Sequence, residues 1–277
     1  MAFNRLKAKI KGIKYLPFKQ DGKTYNLYDM PKGFVIKGNL NLRGKDLTEL
    51  PDLSEVVVKE GFYCDDNQLT SLKGAPQEVG GNFICDNNQL TSLEGAPKEV
   101  GRGFYCYSNQ LTSLEGAPKE VGGDFYCHSN QLTSLEGAPQ KVGGYFDCHS
   151  NQLTSLEGSP KEVGGDFYCH SNQLTSLVGL PQMKEGHIRC DDSLGNKYGL
   201  SSVFSYTQLC ESPLYKSESA MNRVRSKLPQ ENIETKPVST KQQEKTETKT
   251  KQQEAFEKTN AEFSQWLKDN SAKPTRE

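Results

Sequence analysis

Little in this chain is apolar. Only 34% of its 277 residues are hydrophobic and its mean hydropathy is −0.74, low for a globular protein of this size. A thin repeat core and a C-terminal third that is mostly polar account for it. No stretch approaches the ~20 apolar residues of a membrane span. The N-terminal stretch is basic but lacks an apolar run, so it does not read as a signal peptide. There is no Walker loop, no His-Glu-x-x-His and no Gly-x-Ser-x-Gly. We expect no catalytic residues, no metal and no cofactor. There is one Trp, and there are four His, all between His128 and His187.

What is present is repetition. Cysteines stand at Cys64, Cys85, Cys106, Cys127, Cys148, Cys169 and Cys190, each 21 residues after the last. A fixed period of roughly 20 to 29 residues marks a solenoid, in which each unit buries its apolar face only against its neighbours. Regular copies start at Phe62, Phe83, Phe104, Phe125, Phe146 and Phe167. A worn copy starts at Ile188, and an irregular one at Leu40, where Leu40, Leu42, Leu47 and Leu50 fill the apolar positions. Seven cysteines then form a column. Adjacent strands lie about 4.8 Å apart, whereas a disulfide wants Cβ atoms about 3.8 Å apart. We therefore expect buried thiols, as in a reducing cytosol.

Within a copy, Phe-x-Cys reads as an alternating strand with both side chains inward. Asn67, Asn88, Asn109, Asn130, Asn151 and Asn172 follow three residues after each Cys and are expected to form a hydrogen-bonded ladder. Leu69, Leu72 and their equivalents point inward. Gly74–Pro76 breaks the chain on the far side, Val79 turns it inward again, and Gly80-Gly81 supplies permissive backbone. The string Phe-x-Cys-x-x-Asn-x-Leu-x-x-Leu resembles the leucine-rich repeat consensus, in the short form found in bacterial and phage proteins, including secreted effectors. The resemblance covers residues 40–195. It implies a parallel sheet on a concave face, mostly irregular convex segments and a binding role. The step from Val79 to Phe83 is one residue longer than is usual in that family, and we expect the Gly pair to absorb it as a bulge. The effectors that are ubiquitin ligases carry a large catalytic domain after the repeats; here about 80 largely polar residues follow.

The expected fold class is thus a repeat solenoid with flanking segments. Residues 1–39 form a basic N-terminal cap, with a short helix through Phe3, Leu6, Ile10 and Ile13, then an irregular segment through Pro17 and Gly22. Residues 40–195 form about eight coils. Residues 196–229 supply a C-terminal cap from Val203, Phe204, Tyr206, Leu209, Cys210 and Leu214, with a helix near 218–228. Residues 230–254 have the composition of a disordered linker. Residues 255–269 hold a short amphipathic pattern through Phe256, Phe263, Trp266 and Leu267, read either as docking on the solenoid or as a motif for a partner groove.

Function, if it lies in the repeats, lies in the letters that vary. The residue between Phe and Cys is Tyr63, Ile84, Tyr105, Tyr126, Asp147, Tyr168 and Arg189. The residue after Cys is Asp65, Asp86, Tyr107, His128, His149, His170 and Asp191. Both rows are expected to face outward on the concave side. Tyrosine offers large amphipathic area at low entropy cost, so the Tyr row is a candidate surface for a protein partner. A histidine column can bind metal or titrate near pH 6; a straight ladder lacks converging ligands, so solvated copies of one residue are the preferred reading. The expected function is a non-enzymatic, cytoplasmic protein-binding scaffold of a bacterial or phage-infected cell, with secretion as an effector possible. Two alternatives stand beside it. The basic arm, with nine Lys or Arg in residues 1–39, would bind nucleic acid or an anionic surface. Or the chain is an adaptor acting on a partner enzyme.

Overall fold

The 21-residue copy is one coil of a rod because it writes two short strands and two corners. The computed structural model describes residues 14–183 and 186–225, the last six of these by backbone alone. Each Phe-x pair is a strand. These strands stack in parallel, in register, from Leu40–Asn41 to His187–Arg189, and Phe104 pairs with Phe83 on one side and Phe125 on the other. Val203–Ser205 adds a ninth, antiparallel strand at the C-terminal edge.

A second sheet was not expected. Glu78–Val79, Glu99–Val100, Glu120–Val121 and their equivalents form eight parallel strands, from Val35–Ile36 to Gln182–Met183. The side opposite the Phe strands is therefore not mostly irregular. Its Val side chains are buried while the Glu side chains point out, the alternation of a half-buried strand shortened to two residues. Nor is the Gly pair a bulge. A bulge is one residue more than the partner strand has, and here every coil from Ile36–Leu40 to Val163–Phe167 carries the same extra residue. The ladder runs on through the pair: Gly80 N–H donates to Val58 O and Gly81 N–H to Glu60 O, both at 2.9 Å. A Cβ at Gly101 or Gly122 would overlap the carbonyl oxygen of Gly80 or Gly101 in the preceding coil. Glycine stands there because the backbones touch.

The core is a set of columns. Phe62 to Phe167 stack face to face at 5.1–5.5 Å between centroids, all fully buried. Burial of each is worth about 2–3 kcal/mol. Beside them run the cysteines, all free thiols. Burial pushes the thiol of Cys127 well above its usual range, so it stays protonated. The Cys106, Cys127 and Cys148 thiols donate to carbonyls of the next coil at 3.3–3.5 Å.

The asparagine column closes the turns. Asn130 Oδ1 accepts from Leu111 N–H of the preceding coil at 3.0 Å, and its Nδ2 donates to the carbonyls of Cys106, Cys127 and His128 at 3.1–3.2 Å. Asn88, Asn109 and Asn151 repeat the pattern. The turn before each Asn takes one residue into left-handed backbone, with φ of 50–55° at Asp66, Asn87, Ser108, Ser129, Ser150 and Ser171. The irregular first coil places Gly44 there, the residue that tolerates it best.

The ends are covered by different means. Residues 17–26 are not irregular: β1 (Pro17–Gln20) and β2 (Lys23–Asn26) form an antiparallel hairpin. Its turn, Asp21-Gly22, has positive φ at both residues (51° and 74°), the two-residue geometry favoured in hairpins. Gln20 extends the edge of the eight-stranded sheet by side chain alone, donating to Val35 O and accepting from Lys37 N–H. The helix expected through Phe3 and Ile13 lies outside the described residues. At the C-terminal end sit α1 (Asp192–Lys197), α2 (Tyr206–Glu211) and α3 (Pro213–Arg225). The last begins earlier than the expected 218, with Pro213 at its start. Phe204 and Leu209 are buried as cap residues, joined by Tyr198 and Tyr215, whereas Val203 and Leu214 are exposed. Glu218 holds α3 to the rod, accepting from Tyr198 at 2.5 Å, Ser176 at 2.9 Å and Lys197 at 2.7 Å. No helix among the described residues is long and apolar enough to cross a membrane.

Candidate binding face

The outer surface of the nine-stranded sheet carries both variable rows. In-register parallel pairing puts equivalent side chains about 4.8 Å apart, close enough for rings to stack. Tyr107, His128, His149 and His170 form one four-ring column, with centroids 4.5, 4.4 and 4.6 Å apart and planes within 16° of parallel. The faces are used up on each other, so only the ring edges are left to meet solvent or neighbouring side chains. This row is less exposed than expected. Its acidic end, Asp65 and Asp86, is only 4% and 3% exposed, because each side chain is covered by its neighbours in the stack. Asp86 accepts from Asn87 Nδ2 at 3.0 Å. Burial drives its carboxyl up to about 6, and a hydrogen bond from Tyr107 opposes the rise.

The tyrosine row is broken. Tyr105 and Tyr126 are in contact at 4.9 Å, but Ile84 separates Tyr63 from Tyr105, and Asp147 separates Tyr126 from Tyr168. Asp147 turns across to the neighbouring row of its own coil instead, 2.6 Å from His149 Nδ1. His128 pairs with Ser129 at 3.1 Å, while His170 Nδ1 is buried without a hydrogen-bond partner. Burial holds His128 and His170 below the usual histidine range, against the pull of Asp147. Burial likewise raises the Tyr107 and Tyr168 hydroxyls to about 12. No group of three or more His, Cys, Asp or Glu among the described residues is arranged to hold a metal ion.

A third row was not foreseen from the sequence. The residue before each Phe alternates: Asn39, Gly61, Asn82, Gly103, Asp124, Tyr145, Asp166. The polar members fall in every second coil. Each accepts the backbone N–H one coil later: Asn39 from Gly61 (2.7 Å), Asn82 from Gly103 (2.9 Å), Asp124 from Tyr145 (2.8 Å) and Asp166 from His187 (2.7 Å). Asp124 and Asp166 also face the hydroxyls of Tyr126 (3.4 Å) and Tyr168 (2.8 Å). Reading this column as the other two were read would have revealed it.

The face has one sign in its six central coils, with Arg43 one coil earlier paired to Asp65 (3.1 Å) and Asp66 (2.7 Å) and Arg189 one coil later. Over the six coils from Gly61 to Ser171, the residue before Phe, the one after it and the two after Cys include no Lys or Arg, against Asp65, Asp66, Asp86, Asp124, Asp147 and Asp166. The opposite surface is mixed. An open groove of about 1100 Å³ over the eight-stranded sheet is lined by Lys98, Lys119 and Lys141 as well as Glu78, Glu99 and Glu120. Phe256, Phe263 and Trp266 lie outside the described residues. No family model and no curated protein matches the chain.

Proposed function

We propose that this chain is a non-enzymatic scaffold of the short leucine-rich type, which binds a protein partner on the outer face of its nine-stranded sheet. The observation behind the reading is the concentration of Tyr63, Tyr105, Tyr107, Tyr126 and Tyr168, with three stacked imidazoles, on a face that carries no lysine or arginine in its six central coils. Tyrosine is among the residues enriched at interface hot spots. The same sign argues against nucleic acid on this surface, since a polyanion needs Lys and Arg. The test is capture of partners by the full chain from cells of its source. Replacing Tyr105, Tyr126 and Tyr168 by Ala is expected to abolish capture. Replacing Lys98, Lys119 and Lys141 on the opposite face is expected to leave it intact. Capture that survives the tyrosine changes would end the proposal.

A further inference from the structure

The alternation Asn39, Asn82, Asp124, Asp166 has a length. Adjacent strands lie about 4.8 Å apart, so two coils measure about 9.6 Å. A segment lying along the rod must match that repeat if equivalent side chains are to meet equivalent sites. A β-strand repeats each face every ~6.7 Å and an α-helix every ~5.4 Å without a whole number of residues. Neither fits. A polyproline II helix turns once in three residues, about 9.3 Å. It presents the same face at every third residue, nearly in step with every second coil.

The chemistry agrees with the length. The structural task at this position is to accept one backbone N–H, and Asn39 and Asn82 do it with an amide. Asp124 and Asp166 do the same and add a charge the fold does not require. Each carboxylate has about four acceptor sites and uses one oxygen on the backbone and the other beside a tyrosine hydroxyl. Acceptor capacity is left over on both residues, which are partly exposed, although Asp166 shares its own with the His187 ring at 3.8 Å. Aromatic side chains line the track between them, Tyr126, Tyr145 and Tyr168, and aromatic-lined grooves are what polyproline II segments dock against.

Resting on the scaffold reading above, we propose that the face binds an extended polyproline II segment of a partner protein, with Lys or Arg at every third residue seated on Asp124 and Asp166. The probe is a peptide of three Pro-Pro-Arg repeats, titrated into the full chain with fluorescence anisotropy as the readout. Saturable binding is expected, weakened about tenfold by the double change Asp124→Asn and Asp166→Asn, as two half-exposed ion pairs would give. Asparagine already serves at two equivalent positions, so that variant keeps its fold, which circular dichroism checks. A peptide of the same composition with its three arginines adjacent is expected to bind about tenfold more weakly, and Pro-Pro-Glu repeats not at all. Equal affinity for the two arginine peptides, or no effect of the asparagine pair, would overturn the proposal. So would absence of binding by the regular peptide. If the tyrosine variant nonetheless loses its cellular partners, the scaffold reading survives and only this partner class falls.

Discussion

The buried ionisable residues of the candidate face oppose one another as pH changes. Asp86 is held up to about 6 from an ordinary 3.8, chiefly by burial. Stability tied to its neutral form is fully present below about pH 3.8 and is lost as pH rises through about 6. Asp86→Asn removes a buried charge and is expected to raise the melting temperature at pH 8. The gain corresponds to at most about 3 kcal/mol and should vanish by pH 4; an unchanged melting temperature at pH 8 would contradict this. His128 and His170 act in the other direction. Burial lowers both, so below the ordinary value of 6.5 the unfolded chain takes up protons that the folded stack resists. Stability from the neutral rings is present above pH 6.5 and is lost as pH falls below it. The groups facing them are Asp147, His149, Tyr107, Tyr126, Arg189 and Asp191. The double change His128→Gln and His170→Gln is therefore expected to flatten the acid side of the melting profile, below pH 6.5, while leaving the alkaline side unchanged. The rows were legible in the sequence as rows. Their stacking was not, because exposure depends on what the neighbouring coil places beside each ring.

Single coils are held in register by elements that tolerate little. A Cβ at Gly122 would overlap Gly101 O, whereas at Gly123 the closest atoms are a backbone carbon and nitrogen just beyond 3 Å, and Arg102 already occupies that place one coil earlier. Gly122→Ala is expected to cost about 1–3 kcal/mol, the range for overpacking, and Gly123→Ala clearly less. Urea titrations of the two variants compare them directly; equal losses would show that the first glycine serves flexibility, not approach. Asn130→Ala strips the partner from Leu111 N–H and removes one of two amide donors from each of the carbonyls of Cys106 and Cys127, which keep Asn109 and Asn151. At about 1–3 kcal/mol for a buried N–H left unsatisfied, it is expected to cost about as much as Gly122→Ala, which a third urea titration checks. The columns of Phe, Cys, Asn and Leu were readable because 21-residue spacing makes identical environments. The eight-stranded sheet was harder to read, since a strand of two residues, Glu then Val, has no period to detect. The β1–β2 hairpin did carry a signal, Asp21-Gly22, which is a favoured hairpin turn; attention to Pro17 and Gly22 as breakers hid it.

At the scale of the whole rod, stability is a sum of coils and of contacts between neighbours. The described chain has no long-range core to make all coils melt together: its Phe and Asn columns link each coil to the next and no further. An inner coil has two neighbours, and an end coil has one neighbour and a cap. The cysteine column reports on this without added labels, because one thiol sits in each coil from Cys64 to Cys190 and all seven are buried. Burial also keeps them protonated and unreactive, although for Cys190, at the C-terminal end, it raises the thiol only to about 11. In water, an alkylating reagent is expected to modify Cys210, the half-buried thiol outside the column, before any of the seven. In urea below the midpoint, a short alkylation pulse followed by peptide mass mapping is expected to find a gradient. Cys190 should label first, as fraying of the cap through Tyr198 and Glu218 opens the last coil. Cys127, in the middle, should label last. Glu218→Gln loosens that cap and should advance the labelling of Cys190 and Cys169 while leaving Cys127 unchanged. Simultaneous labelling of all seven would mean that coupling between coils exceeds the difference between end and middle, and the nearest-neighbour description would have to give way to a single cooperative unit.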